Sequence, residues 1–274
     1  EGCAGTLEQL FLSNTWGIED YSVIEQLTSL TQLQLCVSYE DTLPSFAGLQ
    51  NLEYLELYGA DDLRAIGEAK GLIYLSLDSC NCEDMTFLSG LQNLEILDLY
   101  DMSGYFVSLQ PVTQLPKLRI LDISDSTAYT DAAVLLGIPT LEEFYMSECN
   151  IGFNPGSVPA NANLKVLDMN YAEIFELADS NYGWLQEATP VALSEHAELF
   201  ANFPNLEVLR LQGQELDNLS FVEENALTHL QILDIEDNYV LDLSPLAGLT
   251  ELQYVYCGNN PIADTAGLDD ILVR

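Results

Sequence analysis

An α/β solenoid is the fold class that this sequence predicts, on two observations. The motif Leu-x-x-Leu-x-Leu, with Ile, Val, Phe, Met or Cys sometimes replacing a later Leu, opens at Leu7, Leu30, Leu52, Leu72, Leu94, Leu118, Leu141, Leu164, Leu206, Leu230 and Leu252. The intervals are 23, 22, 20, 22, 24, 23, 23, 42, 24 and 22 residues, so one unit recurs along nearly the whole chain. Such a unit can bury its apolar face only against its neighbours, which makes stacking obligatory. The second observation is composition: 48% of the 274 residues are hydrophobic, ample for a continuous core.

Each repeat opens with a strand. Counting the first Leu as position 1, positions 4 and 6 are two residues apart, the strand period, and share a face. Positions 3, 5 and 7 take the other face and are expected to line a concave parallel sheet. Short helices or 3-10 turns then return along the convex side. In repeat ten, Leu230-Gln-Ile-Leu233-Asp-Ile235-Glu-Asp-Asn238 runs on into Tyr-Val240-Leu-Asp-Leu243-Ser-Pro-Leu246-Ala-Gly-Leu249-Thr-Glu-Leu252. This stretch resembles the short 22-residue leucine-rich repeats of bacterial internalins and of eukaryotic phosphatase-regulatory proteins. The resemblance covers residues 7–274. It implies a horseshoe of about eleven repeats, with residues 1–274 forming a single leucine-rich repeat domain.

The resemblance also implies Asn at position 9, where an amide both donates and accepts and so satisfies the turn leaving the strand. Only Asn238 and Asn260 keep it; the other repeats carry Thr15, Ser38, Ala60, Cys80, Met102, Ser126, Cys149, Ala172 and Gln214. Thr, Ser and Cys partly substitute. Ala60, Met102 and Ala172 cannot, so local irregularity or buried water is expected there.

Two departures interrupt the array. The 42-residue interval between Leu164 and Leu206 holds Trp184, Pro190 and His196, and its end, Leu193 to Leu206, resembles a convex return segment. Residues 176–192 then read either as an inserted loop, which in repeat arrays falls on the surface, or as a degenerate extra repeat. At the ends, only Glu1–Thr6 precede the first motif, so residues 1–29 act as a makeshift cap or upstream chain has been removed. Residues 264–274, with Leu268, Ile271 and Leu272 at helical spacing, read as an amphipathic closing helix. The chain does not begin with Met and shows no basic-then-apolar export segment, so a processed or trimmed form is expected.

Charge bounds the partners. Forty-four acidic residues oppose seven basic ones, a formal −37, and Arg64, Lys70, Lys117, Arg119, Lys165, Arg210 and Arg274 are scattered. Without clustered cations the chain would repel nucleic acid and anionic membranes. No apolar run approaches the ~18–20 residues that span a bilayer. Basic partners are compatible with the charge, and dispersed acid also keeps an elongated surface soluble. Of six cysteines, Cys80, Cys82, Cys149 and Cys257 fall at inward positions 9, 11, 9 and 6. Cys80 and Cys149 lie three repeats apart, roughly 14 Å at ~4.8 Å per strand, whereas a disulfide needs Cα atoms within about 7 Å. Buried thiols acting as small hydrophobes are expected.

Chemistry is sought on positions 3, 5 and 7. Repeats three to five gather Tyr54, Tyr58, Tyr74 and Tyr100 around Glu56, Asp78 and Asp98, with Asp122 and Tyr145 further along the same columns. Tyrosine offers large contact area with a polar tip at little rotamer cost, and carboxylates beside it favour a Lys- or Arg-bearing partner or a sugar hydroxyl. Alternatively, these tyrosines are simply good strand formers. Asp98 and Asp122 are neighbours in one column, which a hard cation could relieve, but no Asp-x-Asp-x-Asp-Gly loop occurs, and solvent screening serves equally. His196 and His229 belong to no nucleophile, zinc or phosphate-loop motif. An open sheet would not desolvate a carboxylate pair, which is what raises an acid's pKa. No cofactor is called for, and Asn218-Leu-Ser220 is a lone glycosylation sequon.

The expectation is a non-catalytic, monomeric recognition module that binds a protein or glycan through its concave face. Resemblance to internalins implies a secreted or surface-displayed bacterial protein. The alternative is an intracellular scaffold that clamps a basic protein, which would suit reduced thiols.

Overall fold

The computed structural model describes residues 4–13, 18, 20–38, 41–81, 84–102, 108–176, 190–263 and 272–273. They fall into two compact units, Glu1–Thr130 and Asp131–Arg274. In the first, strands β1 (Gln9–Leu12), β2 (Gln32–Cys36), β3 (Tyr54–Tyr58), β4 (Tyr74–Asp78), β5 (Ile96–Asp98) and β6 (Ile120–Asp122) pair in chain order, each neighbour parallel. Register keeps equivalent positions opposite: Leu33, Leu55, Leu75, Leu97 and Leu121 form one row, all fully buried. A slip of one residue would turn that whole row to solvent, so burial pins the register. The returns are 3-10 helices at Ser22–Gln26, Arg64–Glu68, Thr86–Gly90 and Gln110–Gln114. A repeat of this length leaves about ten residues for the return, and a 3-10 turn rises ~2.0 Å per residue against 1.5 Å for an α-helix, so few residues cover the distance.

Strand β7 (Thr127–Asp131) runs through the division between the units. The second unit contains β8 (Glu143–Tyr145), β9 (Asn150–Gly152), β10 (Val166–Asp168), β11 (Glu173–Phe175), β12 (Val208–Arg210), β13 (Ile232–Asp234), β14 (Tyr254–Tyr256) and β15 (Leu272–Val273). Its main ladder, β8-β10-β12-β13-β14-β15, is parallel throughout, and β9 and β11 form a separate parallel pair. Across the 42-residue interval β10 pairs directly with β12. Short α-helices α1 (Ala132–Leu136) and α2 (Ser220–Glu224) join 3-10 returns at Pro155–Ser157, Leu193–Glu195, Ala197–Asn202 and Ser244–Leu246. The 3-10 turns over residues 193–202 stand where the sequence places a return segment. Most of the 176–192 stretch lies outside the described residues.

The closing helix expected over 264–274 is corrected at its end. Leu272–Val273 is a strand parallel to β14, with Leu272 opposite Tyr254. The open edge of a sheet presents unpaired N–H and C=O groups that reward a strand over an amphipathic helix. Residues 264–271 and Arg274 lie outside the described set.

Two ladders beyond the motif hold the repeats together. At position 9, Asn238 donates to the carbonyls of Leu211, Ile235 and Glu236 at 2.8–3.0 Å and accepts from Leu216 N–H at 2.9 Å. Asn260 repeats the pattern on Ile235, Cys257 and Gly258 and accepts from Val240 N–H. Each reaches back to position 6 of the preceding repeat, and so do Ser126 to Leu99 and the Cys80 thiol to Leu57. The irregularity expected at Ala172 and Met102 is replaced by help from the next repeat. Gln214 donates to the carbonyls of Met169 and Ala172, and Ser126 Oγ accepts from Met102 N–H at 3.0 Å. At Ala60 the carbonyl accepts Asn81 N–H. The second ladder lies just before position 1, where Asn51, Asn93, Asn163 and Asn205 donate to Thr28, Lys70, Pro139 and Ala162 carbonyls one repeat back.

Position 8 carries the turn. Gly59, Ser79, Asp101 and Asp125 in the first unit and Glu148, Tyr171, Gly213, Asp237 and Asn259 in the second all have φ between 50° and 77°. Gly59 has φ 77°, and a Cβ there would stand 2.7 Å from the Val37 carbonyl oxygen, so only glycine fits. Cys36, Cys80, Cys149 and Cys257 form no disulfide, and the last three are buried.

Candidate ligand-binding face

The outward face of β3–β6 in the first unit is assembled by register. Tyr54 stands opposite Tyr74, Glu56 opposite Ser76, Tyr58 opposite Asp78, Ser76 opposite Asp98 and Asp98 opposite Asp122. The Tyr54 and Tyr74 rings stack with centroids 4.2 Å apart and planes 4° from parallel. Aromatic pairs of this kind contribute about 0.5–1.5 kcal/mol beyond the area they bury. The Tyr54 hydroxyl donates to Glu56 Oε1. Burial, and then that hydrogen bond, push its pKa upward, because losing its proton would place a second negative charge beside Glu56. Tyr74 is raised by burial and by Asp98, and Tyr58 by burial and by Glu56 and Asp78. All three remain neutral hydroxyls at physiological pH.

The carboxylates split into two kinds. Asp98 accepts Tyr100 N–H at 3.1 Å and Ser76 Oγ–H at 3.1 Å, and Asp122 accepts Ser124 N–H at 2.8 Å. Asp168 and Asp234 do the same for Asn170 and Glu236 N–H, both at 3.1 Å. Each of these four is the last residue of its strand, β5, β6, β10 or β13. Each of these Asp side chains folds onto the amide two residues on; β8, β12 and β14 end at the same position with Tyr145, Arg210 and Tyr256. With Gln34, Glu56 and Ser76 in that position, β2, β3 and β4 run two residues further. Asp98 and Asp122, expected from sequence as ligand contacts, also accept these turn amides. Asp78 differs: it ends β4 at position 7, and its Oδ1 accepts Ser79 Oγ–H at 2.7 Å.

Tyr100, at position 7 of repeat five, is 43% exposed. The Asp125 carboxylate beside its hydroxyl pushes its pKa up to about 12. Seven of the nine sequence-selected residues, Tyr54, Glu56, Tyr58, Tyr74, Asp78, Asp98 and Tyr100, therefore share adjacent strands or their ends, and Asp122 extends the row. Tyr145 belongs to the second unit. There its hydroxyl donates to Glu143 Oε2 at 2.6 Å, and its strand partner is Asp168.

Sequence reasoning passed over Arg210. Register places it between Asp168 and Asp234, with Nη1 3.2 Å from Asp168 Oδ2, while Ser147 Oγ–H donates to Asp168 Oδ1 at 2.6 Å. Asp168 is buried. The signal was present, because Arg210 is the sole basic residue among the position 5 residues. A second cluster escaped for want of any motif. Tyr171 donates to Asp237, and Gln212 Nε2 donates to Tyr171 Oη at 2.9 Å and to Asp237 Oδ2 at 3.0 Å. Asn259 Nδ2 completes it by donating to Asp237 Oδ1 at 2.7 Å.

Comparison with protein families matches residues 228–270 to the model described as leucine-rich repeats in two copies. The chain has the leucine-rich repeat fold. Solved structures extend the likeness in fold beyond that segment. The Leptospira interrogans leucine-rich repeat protein LIC12759 is 17% identical, with 98% of this chain and 84% of that one covered and a TM-score of 0.52. The functional domain of InlJ from Listeria monocytogenes, which includes a cysteine ladder, is 17% identical over 98% of this chain and 53% of that one, with a TM-score of 0.53. No curated protein sequence matches this chain.

Proposed function

We propose that this leucine-rich repeat protein is a recognition module that binds a protein or glycan ligand through the sheet face of positions 3, 5 and 7, without catalysing a reaction. The observation that carries the reading is the stacked Tyr54–Tyr74 pair, in register with Tyr58 and Asp78, on a face without a single Lys or Arg at positions 3, 5 and 7 of repeats two to six. Repeat arrays use such extended faces for binding, and tyrosines with polar tips supply contact area that survives a wet interface. The carboxylates on this face are engaged by hydroxyls and backbone amides, which suits holding a ligand rather than moving protons. The internalin-like repeat supports a secreted or surface-displayed bacterial protein acting as one domain and as a monomer. The excess of acidic over basic residues suits a second reading, an intracellular scaffold that clamps a basic protein.

The test is a paired pull-down with the wild type and a Tyr54/Tyr58/Tyr74/Tyr100→Ser variant whose fold is verified by circular dichroism. Extracellular host material and cytosolic lysate are offered at low and high salt. A partner from the extracellular fraction that survives high salt and is lost with the variant supports the reading. Binding only of basic cytosolic proteins, equal for both forms and confined to low salt, would show non-specific charge and overturn it.

A further inference from the structure

Within the face just described, position 7 of repeats three, four and five reads Tyr58, Asp78, Tyr100. Register sets Tyr58 directly opposite Asp78, and Tyr100, two residues past the Ser76–Asp98 pair that ends the β4–β5 ladder, lies near enough for the Asp78 charge to act on its hydroxyl. The two tyrosines are thus separated by two strand spacings, roughly 9–10 Å, with a carboxylate between them. Each hydroxyl has another polar neighbour: Gln34 of β2 bears on Tyr58 from the side away from Asp78, and the Asp125 carboxylate of repeat six bears on Tyr100. Neither hydroxyl is spent on Asp78. Among the described residues that carboxylate accepts one hydrogen bond, from Ser79 to Oδ1, and an ionised carboxylate accepts up to about four. Glu56 and Asp98 flank it on the position 5 row, where Asp98 adds to the negative field felt at Tyr58.

We infer that Tyr58, Asp78 and Tyr100 form an open, two-walled slot that takes the cationic head of a lysine or arginine side chain presented by a protein partner. This rests on the binding reading above and narrows its ligand from protein or glycan to a protein with an exposed basic residue. The ring faces attract the cation through their quadrupoles, the carboxylate supplies the counter-charge, and the aliphatic stem packs against the rings. A sugar hydroxyl can also donate to this carboxylate, but it carries no charge to complement the negative field around it, so the surroundings favour a cation. A formal charge of −37, with no cation in the columns of repeats two to six, steers a basic surface here and rejects an acidic one.

The experiment is an NMR titration of the full chain, with ¹³C-labelled tyrosine rings assigned by single substitution, against four small probes. These are acetyl-lysine methylamide, its trimethyl-lysine and arginine counterparts, and acetyl-norleucine methylamide as the neutral isostere. Shifts concentrated on Tyr58 and Tyr100, given by the three cations and not by norleucine, and persisting at about 0.5 M salt where surface charge is screened, are expected. Asp78→Asn and Tyr58→Ser should each weaken binding by about fivefold or more, whereas Tyr58→Phe, which keeps the ring, should stay within about twofold of wild type. Relative strength of lysine, trimethyl-lysine and arginine identifies which head the slot prefers. Equal shifts from norleucine, shifts spread over all acidic repeats and lost with salt, or no loss in Asp78→Asn would overturn the slot. A glycan-selective partner found in the pull-down would overturn it as well while leaving the face itself standing. Loss of every partner-binding difference between wild type and the four-tyrosine variant is the separate failure of the broader reading.

Discussion

The position 5 column is built differently in the two units. In the first it runs Gln34, Glu56, Ser76, Asp98, Asp122 without a cation; in the second it runs Tyr145, Asp168, Arg210, Asp234, Tyr256, with Arg210 between two acids. The first unit shares its acid with tyrosines and hydroxyls, while the second neutralises its own. An acidic residue on a repeat face is therefore not one thing. Beside Arg210 it belongs to the scaffold, and beside Tyr58 it faces outward with capacity to spare.

The largest expected effect breaks that contrast from the scaffold side. Arg210→Met removes the cation from between Asp168, which is buried, and Asp234. Leaving a buried carboxylate without its partner costs about 3–5 kcal/mol in a fully enclosed site. Arg210 is about one-third open to water, so a loss of about 2–3 kcal/mol is expected, read as a lowered urea midpoint. Adding Asp168→Asn to Arg210→Met should restore most of it. Asp78→Asn in the first unit should shift stability by no more than about 0.5 kcal/mol. Equal losses from Arg210→Met and Asp78→Asn would mean that the two columns do not differ.

A smaller effect sharpens the same contrast through pH. Burial pushes the Asp234 carboxyl upward, with Asp168 and Asp237 adding to it and Glu236 N–H and Arg210 opposing. A folded-state pKa above the unfolded value stabilises the fold fully at pH below the unfolded value of ~3.9, and that contribution is lost as pH rises through the folded value. Asp234→Asn keeps the neutral form and an oxygen for Glu236 N–H, so it should raise the urea midpoint at pH 7 and leave it unchanged below about pH 3.5. Asp62 in the first unit runs the other way. Its side-chain pairing with Arg64, at 2.6 and 2.8 Å, holds it at about 2. Its contribution is present above the unfolded value and fades as pH falls. A midpoint difference for Asp234→Asn that is constant from pH 3 to 7 would show that its burial carries no electrostatic penalty.

Spacing and identity made the fold legible. Leu33, Leu55, Leu75, Leu97 and Leu121 could be placed in one buried row by counting alone, because register in a stacked array follows repeat phase. The same counting set Tyr54 opposite Tyr74 and Tyr58 opposite Asp78. What counting could not supply was the direction of a side chain. Nothing in the sequence says that the Asp125 charge bears on the Tyr100 hydroxyl, or that Asp98 turns back onto the Tyr100 amide. Gln214 reaches Met169 and Ala172 across the 42-residue interval, a contact hidden because its position 9 role was read from residue type rather than reach. The left-handed turn at position 8 was equally silent. Ser79, Glu148 and Tyr171 do not announce positive φ as glycine does, and the stacked ladder imposes it on them.

That imposed turn gives the smallest effect. Position 8 is Gly59 in repeat three and Glu148 in repeat seven, and Glu148 is exposed with φ 54°. A side chain in this region costs about 1–2 kcal/mol, while glycine carries back roughly 0.5–1 kcal/mol of extra freedom in the unfolded chain. Glu148→Gly should therefore stabilise the protein by about 0.5 kcal/mol. Glu148→Ala, which retains the Cβ and the strain while removing the charge, should be nearly neutral. The urea midpoints of the pair separate backbone from charge. A gain from both substitutions would assign the cost to repulsion among the surrounding acids. A gain from glycine alone would show that the scaffold bends residues into this turn against their own preference, as an array whose neighbours dictate the register must.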